Sequence, residues 1–251
     1  MTSESAGPAP ELSVVVPVKD EAENVRPLID EITTALRGVV PFEIVYVDDG
    51  SSDGTPAALK TAQAEVPELR VVRHDKNSGQ SAGVRTGVKF ARAPLVATLD
   101  GDGQNDPADI PKLLAAYREA PASHKVRLVG GQRLNRQDTA AKKWASRWAN
   151  RLRGWLLQDD TRDTGCGLKL FDRAAFLELP YFDHLHRYLP ALIKRDGYGI
   201  RMVDVSHRAR TRGASKYGVL DRALVSIRDL MGVMWLMARR RLPGDVKELE
   251  R

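Results

Sequence analysis

The sequence predicts an open α/β sheet with mostly parallel strands, and two observations carry that prediction. Short apolar runs rich in Val and Ile recur through the first half of the chain, each followed by a segment with helical spacing. Two of these runs end in acid-rich turns, Asp48-Asp49 and Asp100-Gly101-Asp102. Sheets of this kind bind ligands beyond the carboxyl ends of their strands, so both acid clusters fall on one rim.

Leu12 to Val18 is a nearly continuous β-branched run, as expected of a strand covered on both faces. Asp20, Glu21 and Glu23 place acids at a helix start, and Val25, Leu28, Ile29, Ile32 and Leu36 then follow helical spacing. Phe42 to Val47 is a second strand, running into Asp48-Asp49-Gly50-Ser51-Ser52-Asp53-Gly54-Thr55 and a helix ending near Val66. Leu69 to Val72 is a third strand. Gly79, Gly83 and Gly87 fall four apart, on one face of a helix running to Ala91, and that bare face lets the helix lie close to the sheet. The fourth strand is Pro94 to Leu99, a helix spans Pro107 to Glu119, and Val126 to Val129 is the fifth strand.

After Gly131 the alternation stops. Ala140 to Leu157 places Trp144, Trp148, Leu152, Trp155 and Leu156 on one helical face, flanked by Lys143, Arg147 and Arg151. Trp on the apolar side and cations on the polar side suit a helix lying in a membrane interface; an amphipathic helix packed on the core has the same spacing. Leu168 to Phe171 reads as a short strand, with helices near Ala174 to Leu179 and Leu185 to Arg195 and a strand from Ile200 to Val205. His207 to Tyr217 is a cationic loop whose Arg210, Ser215 and Lys216 are donors matched to phosphate oxygens. The last helix, Leu220 to Ala238, carries Leu224, Ile227, Met231, Met234 and Trp235 on one face and closes on Arg239-Arg240-Arg241. That face suits a membrane interface, the core or a second copy of the chain. The expected organisation is a disordered lead (1–10), a main domain (11–217) containing an interfacial helix (139–158), a C-terminal amphipathic helix (218–242) and a polar tail (243–251).

The bulk properties exclude several classes. The chain has 251 residues, a net charge of +6 and one cysteine, Cys166, so no internal disulfide forms. No apolar run is long enough to span a bilayer, and the first residues lack the apolar stretch of a signal peptide. No dinucleotide fingerprint or P-loop occurs. The second half is basic, which points to an anionic partner, yet its tryptophans share one helical face, so nothing predicts nucleic-acid binding. A phospho-receiver domain would require about half this length. The expectation is a protein peripheral to the cytoplasmic face of a membrane.

In an extended segment residues i and i+2 point the same way, so Asp100 and Asp102 can aim at one point, with Gln104 adding a neutral oxygen. A bound cation relieves the repulsion of two adjacent carboxylates, and hard oxygen ligands suit Mg²⁺ or Mn²⁺ better than zinc. An Asp/Gly surface turn is the alternative for this stretch taken alone.

Read together, the stretches Val14-Val15-Val16-Pro17 to Asn24, Val47 to Thr55, Asp100-Gly101-Asp102-Gly103-Gln104, Gly131-Gln132-Arg133, Asp163 to Gly167 and Arg210 to Lys216 resemble the family 2 glycosyltransferases of GT-A fold. The closest resemblance is to the polyprenol-phosphate glycosyltransferases, and it covers Leu12 to Tyr217. It implies a nucleotide-sugar donor held by Pro17, Val18, Asp20, Glu21, Val47, Asp49, Asp100, Gly101, Asp102, Gln104, Arg210 and Lys216. It implies a metal on Asp102 and Gln104, and a polyprenyl-phosphate acceptor met by Arg133, Arg147 and Ser215. Asp163 falls where the family places an acid near the sugar. Lys19-Asp20 departs from the aromatic-Asn pair frequent in relatives. The acceptor phosphate is already anionic, so direct attack with inversion is expected, with Asp163 orienting rather than acting as an obligatory base. A transferase of the same fold acting on a saccharide or protein hydroxyl would instead need that base.

Overall fold

The computed structural model describes residues 9–133, 165–206 and 219–241, with 154, 156, 157, 161, 163 and 208. Strand β1 (Leu12–Val18) leads through α1 (Ala22–Leu36) to β2 (Phe42–Asp48), α2 (Thr55–Glu65), β3 (Leu69–Arg73), α3 (Gln80–Phe90) and β4 (Leu95–Thr98). A 3-10 turn at Pro107–Asp109 opens α4 (Ile110–Arg118), followed by β5 (Val126–Arg133), β6 (Lys169–Asp172), α5 (Arg173–Glu178), α6 (Leu189–Arg195), β7 (Gly199–Val205) and α7 (Val219–Ala238).

The seven strands lie in the order β3-β2-β1-β4-β6-β5-β7. All neighbouring pairs are parallel except the two made by β6, which runs antiparallel to both β4 and β5. The chain steps from β1 outward to β2 and β3, then returns to place β4 on the other side of β1. The crevice between the ends of β1 and β4 is therefore a topological switch point, where open sheets bind ligands.

Both faces of the sheet are covered, which explains the unbroken apolar runs of β1 and β2. On one face α1, α2 and α4 bury Val25, Leu28, Ile29, Ile32, Leu59, Ile110 and Leu113. Each such side chain contributes about 1.5–3 kcal/mol on burial. On the other face α3, α5, α6 and α7 bury Val84, Val88, Phe176, Leu192 and Val233, and Leu157 joins them. On α7, Ile227, Met231 and Trp235 remain exposed. No helix among the described residues is long and apolar enough to cross a membrane.

Glycines account for two departures from the sequence expectations. Gly83 and Gly87 do bring α3 onto the sheet: a Cβ on Gly87 would fall 2.3 Å from Val15 Cγ1, and one on Gly83 2.8 Å from Pro17 Cβ. Gly79 is not on that helical face but caps it, with φ +88°. Strand β5 continues past Val129 through Gly130 and Gly131 to Arg133. Those glycines read as a strand end, yet a Cβ on Gly131 would press on Val205 and on the Leu168 carbonyl, at 2.9 and 3.0 Å. Close packing, not a turn, requires glycine there. The helix expected over Leu185 to Arg195 is divided into a 3-10 turn, Leu185–Arg187, and α6, with Pro190 in the first turn of α6. Most of the segment expected as a Trp-bearing helix, including Trp144, Trp148 and Arg147, lies outside the described residues, as do Arg210, Ser215 and Lys216.

Candidate active site

At the switch point one cleft of about 310 Å³ is lined by Pro17, Val18 and Glu21 from the end of β1, Asp49 from the end of β2, and Asp100, Gly101 and Asp102 beyond β4. Seven of the residues expected to hold a donor thus share one cavity. Lys19, Asn77, Gly79 and Gln80 complete it. Each is placed by a local reason. Gly101 lets the Asp100–Asp102 turn approach β1, since a Cβ there would fall 2.3 Å from Val18 Cγ1. The backbone N–H of Asp100 donates to Asn105 Oδ1 at 3.2 Å, which ties the turn back onto itself.

Asp49 organises the opposite wall. Its carboxylate accepts from the N–H groups of Ser78 and Gly79, both at 2.8 Å, and lies 2.7 Å from His74 Nδ1. Asp20 has φ +54° and accepts from the Ser52 N–H at 2.8 Å, while its own N–H donates to Ser51 Oγ. It joins two rim loops beside the cleft instead of lining it. Val47 is fully buried and its side chain packs in the core. Gln104, expected to hold the donor and the metal, is not among the residues lining this cleft, and its carbonyl accepts from the Arg208 N–H.

Asp100 is hydrogen-bonded by Gln80 Nε2 at 2.7 Å, and burial, with the Asp102 charge beside it, pushes its carboxyl up to about 6. Asp102 Oδ1 accepts only from the Gln104 N–H among the described residues, at 3.1 Å. Two carboxylates that repel each other, one of them without a cation partner, fit a hard divalent ion. No group of three or more His, Cys, Asp or Glu side chains is gathered for a metal among the described residues. A cation here would therefore complete its shell with substrate oxygens, as Mg²⁺ commonly does.

Beyond Asp100 a second chamber of about 340 Å³ opens, lined by Arg133, Cys166, Gly167, Lys169, His186 and Arg187 among others. Arg133 grips Asp163 with two guanidinium nitrogens, at 2.5 and 2.8 Å. Sequence reasoning singled out Arg133 and Asp163 separately and missed Gln80, Lys169, His186 and Arg187. A signal existed for Lys169: a lone cation inside the apolar run Leu168 to Phe171.

His186 Nδ1 lies 2.7 Å from Ser81 Oγ, and burial pushes its imidazole down to about 3, so the ring is neutral at ordinary pH. An unfolded histidine protonates below about pH 6.5. Between those values the unfolded chain binds a proton that the folded chain refuses, so this group subtracts stability as pH falls from 6.5 toward 3. His186→Gln is expected to lose less stability than wild type between about pH 7 and pH 4.5 in urea melts. Equal losses would remove His186 from the acid sensitivity of the fold.

The mostly parallel sheet, with an acid-lined cleft at its switch point, is that of the GT-A fold. The structure superposes on glucosyl-3-phosphoglycerate synthase from Mycobacterium tuberculosis crystallised with Mn²⁺, UDP and glucosyl-3-phosphoglycerate. The TM-score is 0.67 at 17% identity, over 91% of this chain and 80% of that one. The chain belongs to glycosyl transferase family 2, whose family model matches residues 13–179, and is a glycosyltransferase. It is 35% identical to a dodecaprenyl-phosphate galacturonate synthase of Rhizobium johnstonii, over 93% of this chain and 69% of that protein. It is 33% identical to an undecaprenyl-phosphate 4-deoxy-4-formamido-L-arabinose transferase of Serratia proteamaculans, over 85% of this chain and 64% of that protein. The chain thus spans about two thirds of the length of these relatives.

Proposed function

We propose that the protein transfers a sugar from a nucleotide-sugar donor in the Asp49–Asp102 cleft to a polyprenyl phosphate at a membrane surface, with inversion at the anomeric carbon. The observation that carries the donor half is the gathering of Pro17, Val18, Asp49, Asp100 and Asp102 at the switch point. The names of the relatives support the acceptor half.

Pro17, Val18, Glu21 and Asp49 would seat the nucleotide, and Asp100 the sugar. Asp102, with Gln104, would hold a divalent cation, which supplies charge neutralisation to the departing diphosphate. Structural neighbours crystallised with Mn²⁺ or Mg²⁺ support such an ion. The acceptor phosphate attacks as an anion, so the protein has only to align it and exclude water. A hydroxyl acceptor would need a base, and the acid placed for that task, Asp163, is already gripped by Arg133. That engagement favours the phosphate acceptor.

The residues 11–217 form the catalytic domain in this reading, and α7 is a peripheral membrane element. Its exposed Ile227, Met231 and Trp235, followed by exposed Arg239 and Arg241, match an anionic bilayer surface.

The test is incubation with undecaprenyl phosphate and a panel of UDP- and GDP-sugars, with and without Mn²⁺, and identification of the product by mass. A glycolipid from at least one donor, suppressed by chelation, is the expected outcome. Transfer to a soluble saccharide or peptide with no glycolipid formed would replace this acceptor by the other.

A further inference from the structure

The chamber beyond Asp100 is large enough for a small ligand, since such pockets begin at about 300 Å³. Three cations line it, Arg133, Lys169 and Arg187, against the single carboxylate of Asp100. Arg133 is engaged by Asp163. Lys169 pairs in that way with no carboxylate among the described residues. It opens β6, in register with Thr98 of β4 and Gly130 of β5, and so sits on the floor of the chamber between two strand ends. It is 5% exposed, and among the described residues its ammonium donates to the neutral carbonyl of Cys166. Burial pulls Lys169 down, and the fields of Asp100 and Asp163 offset that only in part. Holding an ammonium out of water without an ion-pair partner is costly. An anion entering the chamber would relieve that cost.

Three anions take part in the proposed reaction or can accompany it: the donor diphosphate, the acceptor phosphate and a carboxylate on the sugar. The diphosphate belongs on the Asp102 side of Asp100. A phosphate tethered to a lipid must keep an open path for its chain, and Lys169 lies on the sheet floor. The sugar is the group that passes Asp100, because it is joined to the diphosphate on one side of that residue and needs space on the other.

We propose that this chamber seats the transferred sugar and that Lys169, with Arg187 at the wall, selects a sugar bearing a carboxylate, so that the donor is a nucleoside-diphosphate hexuronate. This rests on the donor-site reading above. Lys169 acts on specificity, through a charge-assisted hydrogen bond to the sugar carboxylate.

The experiment is calorimetric binding of UDP, UDP-glucose, UDP-glucuronate, UDP-galactose and UDP-galacturonate, with Mn²⁺ present, to wild type, Lys169→Met and Lys169→Arg. Wild type is expected to bind at least one uronate roughly tenfold or more tighter than its neutral partner. Lys169→Met should bring the pair within about threefold while leaving UDP affinity unchanged, and Lys169→Arg should keep the preference. Unchanged UDP affinity also certifies that the methionine variant is folded. A wild type that binds neither uronate tighter than its neutral partner overturns the proposal, as does a preference that survives Lys169→Met. Failure of both UDP and GDP, the latter run beside it, to bind breaks the donor-cleft reading, whereas binding of either without a carboxylate preference breaks this proposal alone.

Discussion

Replacing Asp102 with alanine is expected to lower kcat by about two to three orders of magnitude while the protein stays folded. The magnitude is that of removing one preorganised electrostatic partner from a developing charge. The stability expectation follows from the surroundings. Asp102 lies in a turn beyond β4, lines the cleft, and among the described residues accepts one local hydrogen bond, from the Gln104 N–H. Nothing in the core rests on it. Asp102→Asn keeps the oxygen and loses the charge, so it should fall between wild type and Asp102→Ala. Rates of UDP or GDP release, set beside thermal melts, check both halves. Full metal-dependent turnover by Asp102→Ala would move the cation elsewhere.

Gly167→Ala is expected to lower kcat/KM as well as stability, by comparable free energies. A Cβ at Gly167 would fall 2.2 Å from Asp100 Oδ2 and 2.4 Å from its Cγ. The Asp100 carboxylate would have to swing away and give up the hydrogen bond from Gln80. Overpacking of this kind costs about 1–3 kcal/mol. Displacing a substrate-positioning group by about 1 Å costs roughly a hundredfold in rate. Melting and steady-state kinetics on the same preparation separate the two effects. A large loss of melting temperature with unchanged kcat/KM would assign Gly167 to the fold instead of the site.

The fold was legible because its signals are local. Covered parallel strands leave continuous apolar runs such as Leu12 to Val18, and α1 repeats its buried residues at helical spacing. Strand order was not read from the sequence. The reversal of β6 is set by its pairing with Thr98 and Gly130, which no short-range pattern records. The acid cleft was legible for a related reason. Its residues lie at strand ends, so naming the strands names the rim. The chamber behind Asp100 was not. It is built by side chains from β5, β6 and the Leu185–Arg187 turn, far apart in sequence and joined only by the sheet. Gly130 and Gly131 misled because glycine marks either a turn or a close approach, and only the neighbours decide between them.

Direct attack by the acceptor phosphate on the donor is the central claim, and the anomeric configuration of the product tests it most directly. With a UDP-sugar of α configuration and undecaprenyl phosphate, the proton spectrum of the purified glycolipid should show a β-linked sugar phosphate. An α-linked product would contradict the account, because retention requires a step that a single in-line displacement does not contain.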